Sequence, residues 1–464
     1  MTDKVVADLL ARQPAIMDWL KDFLRFPSVG ADPGCTEAMD ATRAFLVRRL
    51  RDIGLQEVQL LDGGGQPAVY GEWMEAPGKP TILIYGHYDV QPAEPLELWD
   101  SPPFEPIERD GKLFARGSSD VKGSTTIALE TVASFLGVEG ACPVNVKIFL
   151  EGEEETGSPS LRSIIARYGD LLRSDAVLSA DGGRAHPEVP TVNTGARGNV
   201  KLEISVRTAD VDLHSGRYGG AVRNALHELC ALLATLHDAY GNVTVAGFDA
   251  DAGGLTPAQR ADVQAFPFDA EAFLAEVGAA EAGDRAYSLR ERITLRPALD
   301  LNGIWGGYTG PGSKTVIPRQ AHAKMSMRIV SGQTPERVLD AVKRHLVERC
   351  PPGVRLQIDF EGGGSPASSL SPHSPLVVAA ERVLLAEHGR RPLHVRLGAT
   401  VPITAVLKET MGVETLMFGY NLPDEPVHAP NEFFRIASIE KGLRAWPRML
   451  RELATFEPVR FHEN

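Results

Sequence analysis

Short apolar runs that stop at an acid or a histidine recur along the sequence, and they restrict it to an α/β design. Thr81-Ile82-Leu83-Ile84-Tyr85, Val144 to Leu150, Ala176-Val177-Leu178 and Thr415-Leu416-Met417-Phe418 each read as a strand buried on both faces, bounded by Gly, Pro or polar residues. Longer helix-like stretches separate them, as expected of parallel strands joined by crossovers. His87 and Asp89 follow the first run, Glu151 to Glu155 the second, Asp181 the third, and His428 lies in the loop after the fourth. An open α/β sheet has its ligand crevice beyond the carboxyl ends of its strands, so these distant residues are expected to meet there.

Between Arg197 and about Gly364 the pattern changes. Alternating strands at Asn199 to Arg207 and Ala321 to Val330 interleave with amphipathic helices at Val222 to His237 and Pro335 to Cys350, which predicts a separate α+β module. Gly362-Gly363-Gly364-Ser365-Pro366 reads as a return linker. The expectation is a discontinuous catalytic domain over 1–196 and 365–464, interrupted by an inserted domain over 197–364. The stretch from Asp249 to Arg292 carries no readable motif.

Charge and cysteine content narrow the function classes. With 61 acidic against 48 basic residues, a formal charge of −13 and no basic run, neither a nucleic-acid nor an anionic-membrane partner is expected. Met1 to Leu20 mixes charges among apolar positions with no uninterrupted apolar stretch, and nowhere do eighteen apolar residues run together. Cys35, Cys142, Cys230 and Cys350 are far apart and form no CxxC pair, which argues against a disulfide scaffold or a thiolate zinc site and for a reducing cytoplasm.

The polar residues at the strand ends suit a metal. In Gly86-His87-Tyr88-Asp89 the His and Asp are two apart in extended chain and share a side, so Asp89 is placed to orient the His87 ring. Asp120 lies in Arg116-Gly117-Ser118-Ser119-Asp120-Val121-Lys122-Gly123, before a helix expected over Thr125 to Leu136, where the glycines permit unusual backbone angles. Glu151, Glu153, Glu154 and Glu155 would repel one another in a dry crevice unless solvated or neutralised by a cation. Singly, each of these is equally at home as a turn, cap or solvated residue. Together, two His and several carboxylates without Cys fit zinc, cobalt or manganese.

The strings GHYDVQP (Gly86 to Pro92), RGSSDVKG (Arg116 to Gly123), EGEEETGS (Glu151 to Ser158) and HAPNE (His428 to Glu432) occur in one order. In this the sequence resembles the M20 metallopeptidases, the group of carboxypeptidase G, aminoacylase and carnosinase-type dipeptidases, over essentially its full length. LHSG at Leu213 to Gly216 and TVIPR at Thr315 to Arg319 bring it closest to the carnosinase-like branch. The resemblance implies a di-metal α/β catalytic domain with a mixed, largely parallel sheet, and an inserted ferredoxin-like lid that dimerises.

It further implies that Asp120 bridges two divalent ions, zinc first and manganese or cobalt as alternatives, with His87 and Asp181 on one and Glu155 and His428 on the other. Glu154 becomes the general base toward a water bridging the ions, with Asp89 behind His87. The bond after Asp120 is implied to be cis. His214 matches a histidine that reaches the partner subunit's site and polarises the scissile carbonyl, and Arg328 an arginine that grips a substrate carboxylate. Thr315, Thr400 and the adjacent Gly398 match positions near substrate, Thr400 standing where that branch has serine.

The reading is a cytoplasmic, homodimeric hydrolase of dipeptides or short peptides with a free C-terminal carboxylate. The alternatives are an N-acyl-amino-acid deacylase with the same site and, more distantly, a metal-binding regulatory protein without turnover. A two-carboxylate glycosidase, the remaining rival, would need no metal.

Overall fold

The structure, a computed structural model, describes residues 3–463. The chain forms two compact units. One comprises the chain up to Thr194, Leu370–Val395 and the residues from Val406 onward, and the other Gly195–Ser369 with Arg396–Ala405.

In the first unit a six-stranded sheet runs in the order Gln56–Leu61, Ala68–Trp73, Asn145–Glu151, Thr81–His87, Ala176–Ser179, Thr415–Met417. The last four strands are parallel and the first two join antiparallel. Thr81–His87 and Asn145–Glu151 are buried almost throughout, the consequence of apolar side chains on both faces. Their register sets His87 beside Glu151, so two strand ends bearing polar groups are level. The helix Gly123–Glu139 joins the same core, with Ile127, Leu129, Val132 and Phe135 among Ile82, Ile84, Ile148, Leu443 and Trp446. Each such side chain removed from water contributes roughly 1.5–3 kcal/mol, which makes the sheet a stiff platform for what projects from its edge.

The second unit follows a β-α-β-β-α-β order: Gly198–Arg207, Ala225–Ala234, Ala298–Gly306, Gln320–Ile329, Pro335–Arg349, Arg355–Ser365. Its sheet is antiparallel, with the fourth strand beside the first, then the third, then the second. That order is ferredoxin-like. Ala321, Ala323, Met325, Met327 and Ile329 alternate inward and meet Leu229, Leu233, Val338, Val342 and Leu346 of the two helices. The helix expected over Val222 to His237 forms only over Ala225–Ala234, because the Asn224 side chain accepts from the Leu226 N–H and caps it there. The segment without a readable motif holds Pro257–Ala265 and Ala270–Glu276 and leads into Leu289–Leu295. The first and last of these begin with capping boxes, Thr256 with Gln259 and Ser288 with Glu291.

Candidate active site

Polar side chains from five segments converge near the ends of the parallel strands. His87 is fully buried, with Nδ1 3.1 Å from the Asp89 carbonyl oxygen and 3.4 Å from Asp89 Oδ1. Its Nε2 lies 3.2 Å from Asp120 Oδ1. The other oxygen of the same carboxylate, Asp120 Oδ2, lies 2.9 Å from His428 Nε2, which is also 3.1 Å from Glu155 Oε2. Ligand atoms of His87, Asp120 and Asp181 fall within 4.8 Å of one another, and so do those of Asp120, Glu155 and His428. Asp120 belongs to both groups.

Local structure explains why Asp120 can do so. Gly117 has φ 81, and a Cβ there would come within 2.5 Å of Val90, so only glycine fits this bend. The Asp120–Val121 peptide is cis. Beneath the loop sits the buried carboxylate of Glu432, which accepts from the N–H groups of Gly117 (2.9 Å), Ser119 (2.9 Å) and Asp120 (3.0 Å) and from Arg116 Nη1 (2.6 Å). Charge-assisted bonds of this kind are about twice as strong as neutral ones, so one side chain fixes three backbone N–H groups within four residues. Ser119 Oγ donates to Glu425 Oε2 (2.7 Å) and ties the loop down a second time.

The acidic loop is held from the His87 side. Asp89 Oδ2 accepts from the Glu155 N–H (3.0 Å), while Gln91 Nε2 donates to Glu155 Oε2 (2.8 Å). Asp89 therefore touches both His87 and the backbone of Glu155. A Cβ at Gly152 would lie 2.3 Å from the Tyr88 ring, which makes close approach of these two segments depend on glycine.

Crowded carboxylates with so little water strain to stay neutral. Burial pushes Glu154 up to about 8; His87, the next strongest influence, opposes the rise, and Asp181, Asp120 and Glu155 add to it. Burial and Asp120 push Asp181 up to about 6. Hydrogen bonds to Asp120 and Glu155 lift His428 to about 10. For His87 burial works downward, but Asp120 and Asp89 outweigh it and hold the imidazole above its ordinary range. Asp120 itself stays ionised: burial opposes this, and the two histidines overcome it. A donor set of imidazole and carboxylate with no thiolate, in which each oxygen of one Asp faces a separate imidazole, fits divalent cations of the zinc, manganese or cobalt kind.

The second unit holds the other residues singled out in the sequence, in two pairs. His214 opposes Val316 across a short ladder in which the Ser215 N–H donates to the Thr315 carbonyl (3.1 Å), so His214 and Thr315 are neighbours; Gly216 N–H donates to His214 Nδ1 (3.0 Å). Arg328 Nη1 donates to Thr400 Oγ1 (2.8 Å), and the Gly398 carbonyl accepts from Arg197 Nε (2.9 Å).

The sequence matches the model of peptidase family M20/M25/M40 over residues 83–452. The chain belongs to this family. Among M20 relatives, the Beta-Ala-His dipeptidase of Rattus norvegicus is 28% identical over 461 residues, covering 95% of this chain and 93% of that protein. The Cys-Gly metallodipeptidase of Schizosaccharomyces pombe is 29% identical over 478 residues, covering 98% and 99%. Human carnosine dipeptidase 1 superposes with a TM-score of 0.76 at 26% identity over 98% of each chain, and an M20 family metallo-carboxypeptidase from Sulfolobus solfataricus with 0.79 at 28% over 95% and 99%.

Several residues that brace these strand-end side chains carried no role in the sequence: Glu432, Glu425, Arg116 and Gln91. Glu432 and Gln91 stand inside the HAPNE and GHYDVQP strings, but their partners lie 312 to 316 and 64 residues away, so only tertiary structure reveals what they hold.

Proposed function

We propose that the protein is a metal-dependent dipeptidase that cleaves the amide of dipeptides or short peptides with a free C-terminal carboxylate. The observation that carries this is the Asp120 carboxylate, shared between two ligand groups in a chain of a peptidase family. In this reading His87 and Asp181 complete one cation site and Glu155 and His428 the other, with zinc the first choice and manganese or cobalt admissible. Two such cations supply Lewis-acid polarisation of a carbonyl and a lowered pKa for water.

The chain's own residues do the rest. Glu154 stands in neither ligand group, yet it shares their field, and its raised affinity for protons suits a base that takes one from the attacking water and passes it to the leaving amine. Asp89 keeps the Nδ1 side of His87 engaged, so that Nε2 is the nitrogen offered for ligation. His214 polarises the scissile carbonyl oxygen and acts across a homodimer formed through the second unit. Arg328, with Thr315, Gly398 and Thr400, receives the substrate carboxylate, for which a guanidinium fork is well shaped. The names of the relatives, Beta-Ala-His and Cys-Gly dipeptidases, favour dipeptides over acyl-amino acids. No helix among the described residues is long and apolar enough to cross a membrane.

Turnover of a panel of dipeptides and N-acyl-amino acids by protein loaded with each metal, before and after chelation, tests the proposal. Dipeptide hydrolysis abolished by chelator supports it. Hydrolysis confined to acyl-amino acids, or indifferent to chelation, overturns it.

A further inference from the structure

Arg197 stands at the start of the strand Gly198–Arg207, and its main chain and side chain grip one short segment. Its N–H donates to the Leu397 carbonyl (3.0 Å) and its Nε to the Gly398 carbonyl (2.9 Å). On the other side of the fork, Nη1 reaches the carbonyls of Arg296 (3.2 Å) and Arg292 (3.4 Å) at the end of the helix Leu289–Leu295. Gly398 is pressed into this contact: a Cβ there would lie 2.3 Å from the Ile293 carbonyl and 3.3 Å from Arg197 Nη2. Two residues later comes Thr400, whose hydroxyl accepts from Arg328 Nη1 (2.8 Å).

The acceptors just named for Arg197 and Arg328 are all uncharged. Burial, and then the neighbouring charge of Arg328, draw Arg197 down to about 10, with the Asp300 carboxylate opposing them, so the two guanidiniums feel each other. Two guanidiniums bonded to neutral oxygens, with Asp300 a weaker influence on Arg197 than Arg328 is, favour an anion received beside them. A lysine could satisfy one carbonyl but could not span two segments, because its ammonium is a point and not a planar fork.

We propose that Arg197 is a positioning residue for recognition of the substrate carboxylate: its guanidinium ties Gly398 to the Leu289–Leu295 helix end, and so sets Thr400 where it orients the Arg328 fork. The inference rests on the reading of Arg328 as the carboxylate-binding residue. It adds a specificity role for a side chain outside both metal-ligand groups, and a role for the 289–296 segment as the far anchor.

The test compares hydrolysis of a dipeptide with that of the same dipeptide carrying a C-terminal amide, by metal-loaded wild type, Arg328→Met, Arg197→Met and Arg197→Lys. Metal content and unfolding midpoint are measured alongside. Wild type should prefer the free acid and Arg328→Met should lose the preference. Arg197→Met should lose about tenfold or more of it, chiefly through KM, with metal content unchanged, and Arg197→Lys should fail to restore it. A wild type with no preference contradicts the carboxylate reading and takes the inference with it. A wild-type preference that survives in Arg197→Met, whatever happens to the unfolding midpoint, overturns the inference alone, as does full rescue by Arg197→Lys. Should Arg197→Met not fold, Gly398→Ala carries the test: it pushes the same segment off the Ile293 carbonyl and should cost the same preference, and retention of the wild-type preference there overturns the inference.

Discussion

At the scale of single residues, the account assigns separate work to neighbouring carboxylates. Glu154 and Glu155 are adjacent, yet only Glu155 lies within ligand distance of Asp120 and His428. Glu154→Gln should therefore lower kcat by about 10²-fold or more while metal content by elemental analysis stays near wild type, and His428→Ala should lose bound metal. Full activity in the first variant contradicts the assignment of the base. Glu432 makes a different prediction, because it touches backbone and no proposed ligand atom. In Glu432→Gln an amide replaces a carboxylate that accepts from three main-chain N–H groups and Arg116, and metal affinity measured by titration should fall by roughly 10- to 100-fold. Unchanged affinity would show that the Asp120 loop keeps its shape without it. Chemistry-bearing residue types at strand ends were legible in the sequence. Glu432 was not, since a buried Glu that organises a loop 312 residues earlier looks like any other acid near the C-terminus.

At the scale of elements, apolar runs marked the four parallel strands within a residue or two, because a strand buried on both faces can hardly be written otherwise. The module after Arg197 was legible for a related reason, the period-two alternation of Gln320–Ile329. Two things were not. The capping boxes at Thr256 and Ser288 mark helices in the stretch that reads as motif-free, but they are local signals on short helices with little buried surface. The membership of Arg396–Ala405 in the second unit follows from tertiary bonds such as Arg197 to Gly398, which leave no trace in periodicity. Packing between loops gives a prediction at this scale. Gly152→Ala would force a Cβ against the Tyr88 ring and displace the acidic loop; we expect a loss of about 1–3 kcal/mol in stability, by denaturant unfolding, together with weakened metal binding. Normal metal binding would mean the loop absorbs the clash without moving Glu155.

For the molecule as a whole, protons and cations compete for the same oxygens. Glu154 and Asp181 have folded-state values raised to about 8 and about 6, and His428 is raised to about 10. A raised value means that the folded state binds the proton more tightly than the unfolded chain. The stability each contributes is complete below its ordinary range and is lost as pH rises through the folded value. The metal-free protein should thus lose stability from about pH 4, where Asp181 begins to titrate in the unfolded chain, to about pH 10, where His428 gives up its proton in the folded one, while the gain in melting temperature on adding zinc should widen over that interval, because cation binding displaces those protons. A gain that shrinks with rising pH would contradict the electrostatics of the site.

Anomalous X-ray scattering from crystals of metal-loaded protein tests the central claim most directly. The account predicts two peaks that share Asp120, one also bonded to His87 and Asp181 and the other to Glu155 and His428. Peaks located elsewhere, or ions that leave Asp120 untouched, would contradict it.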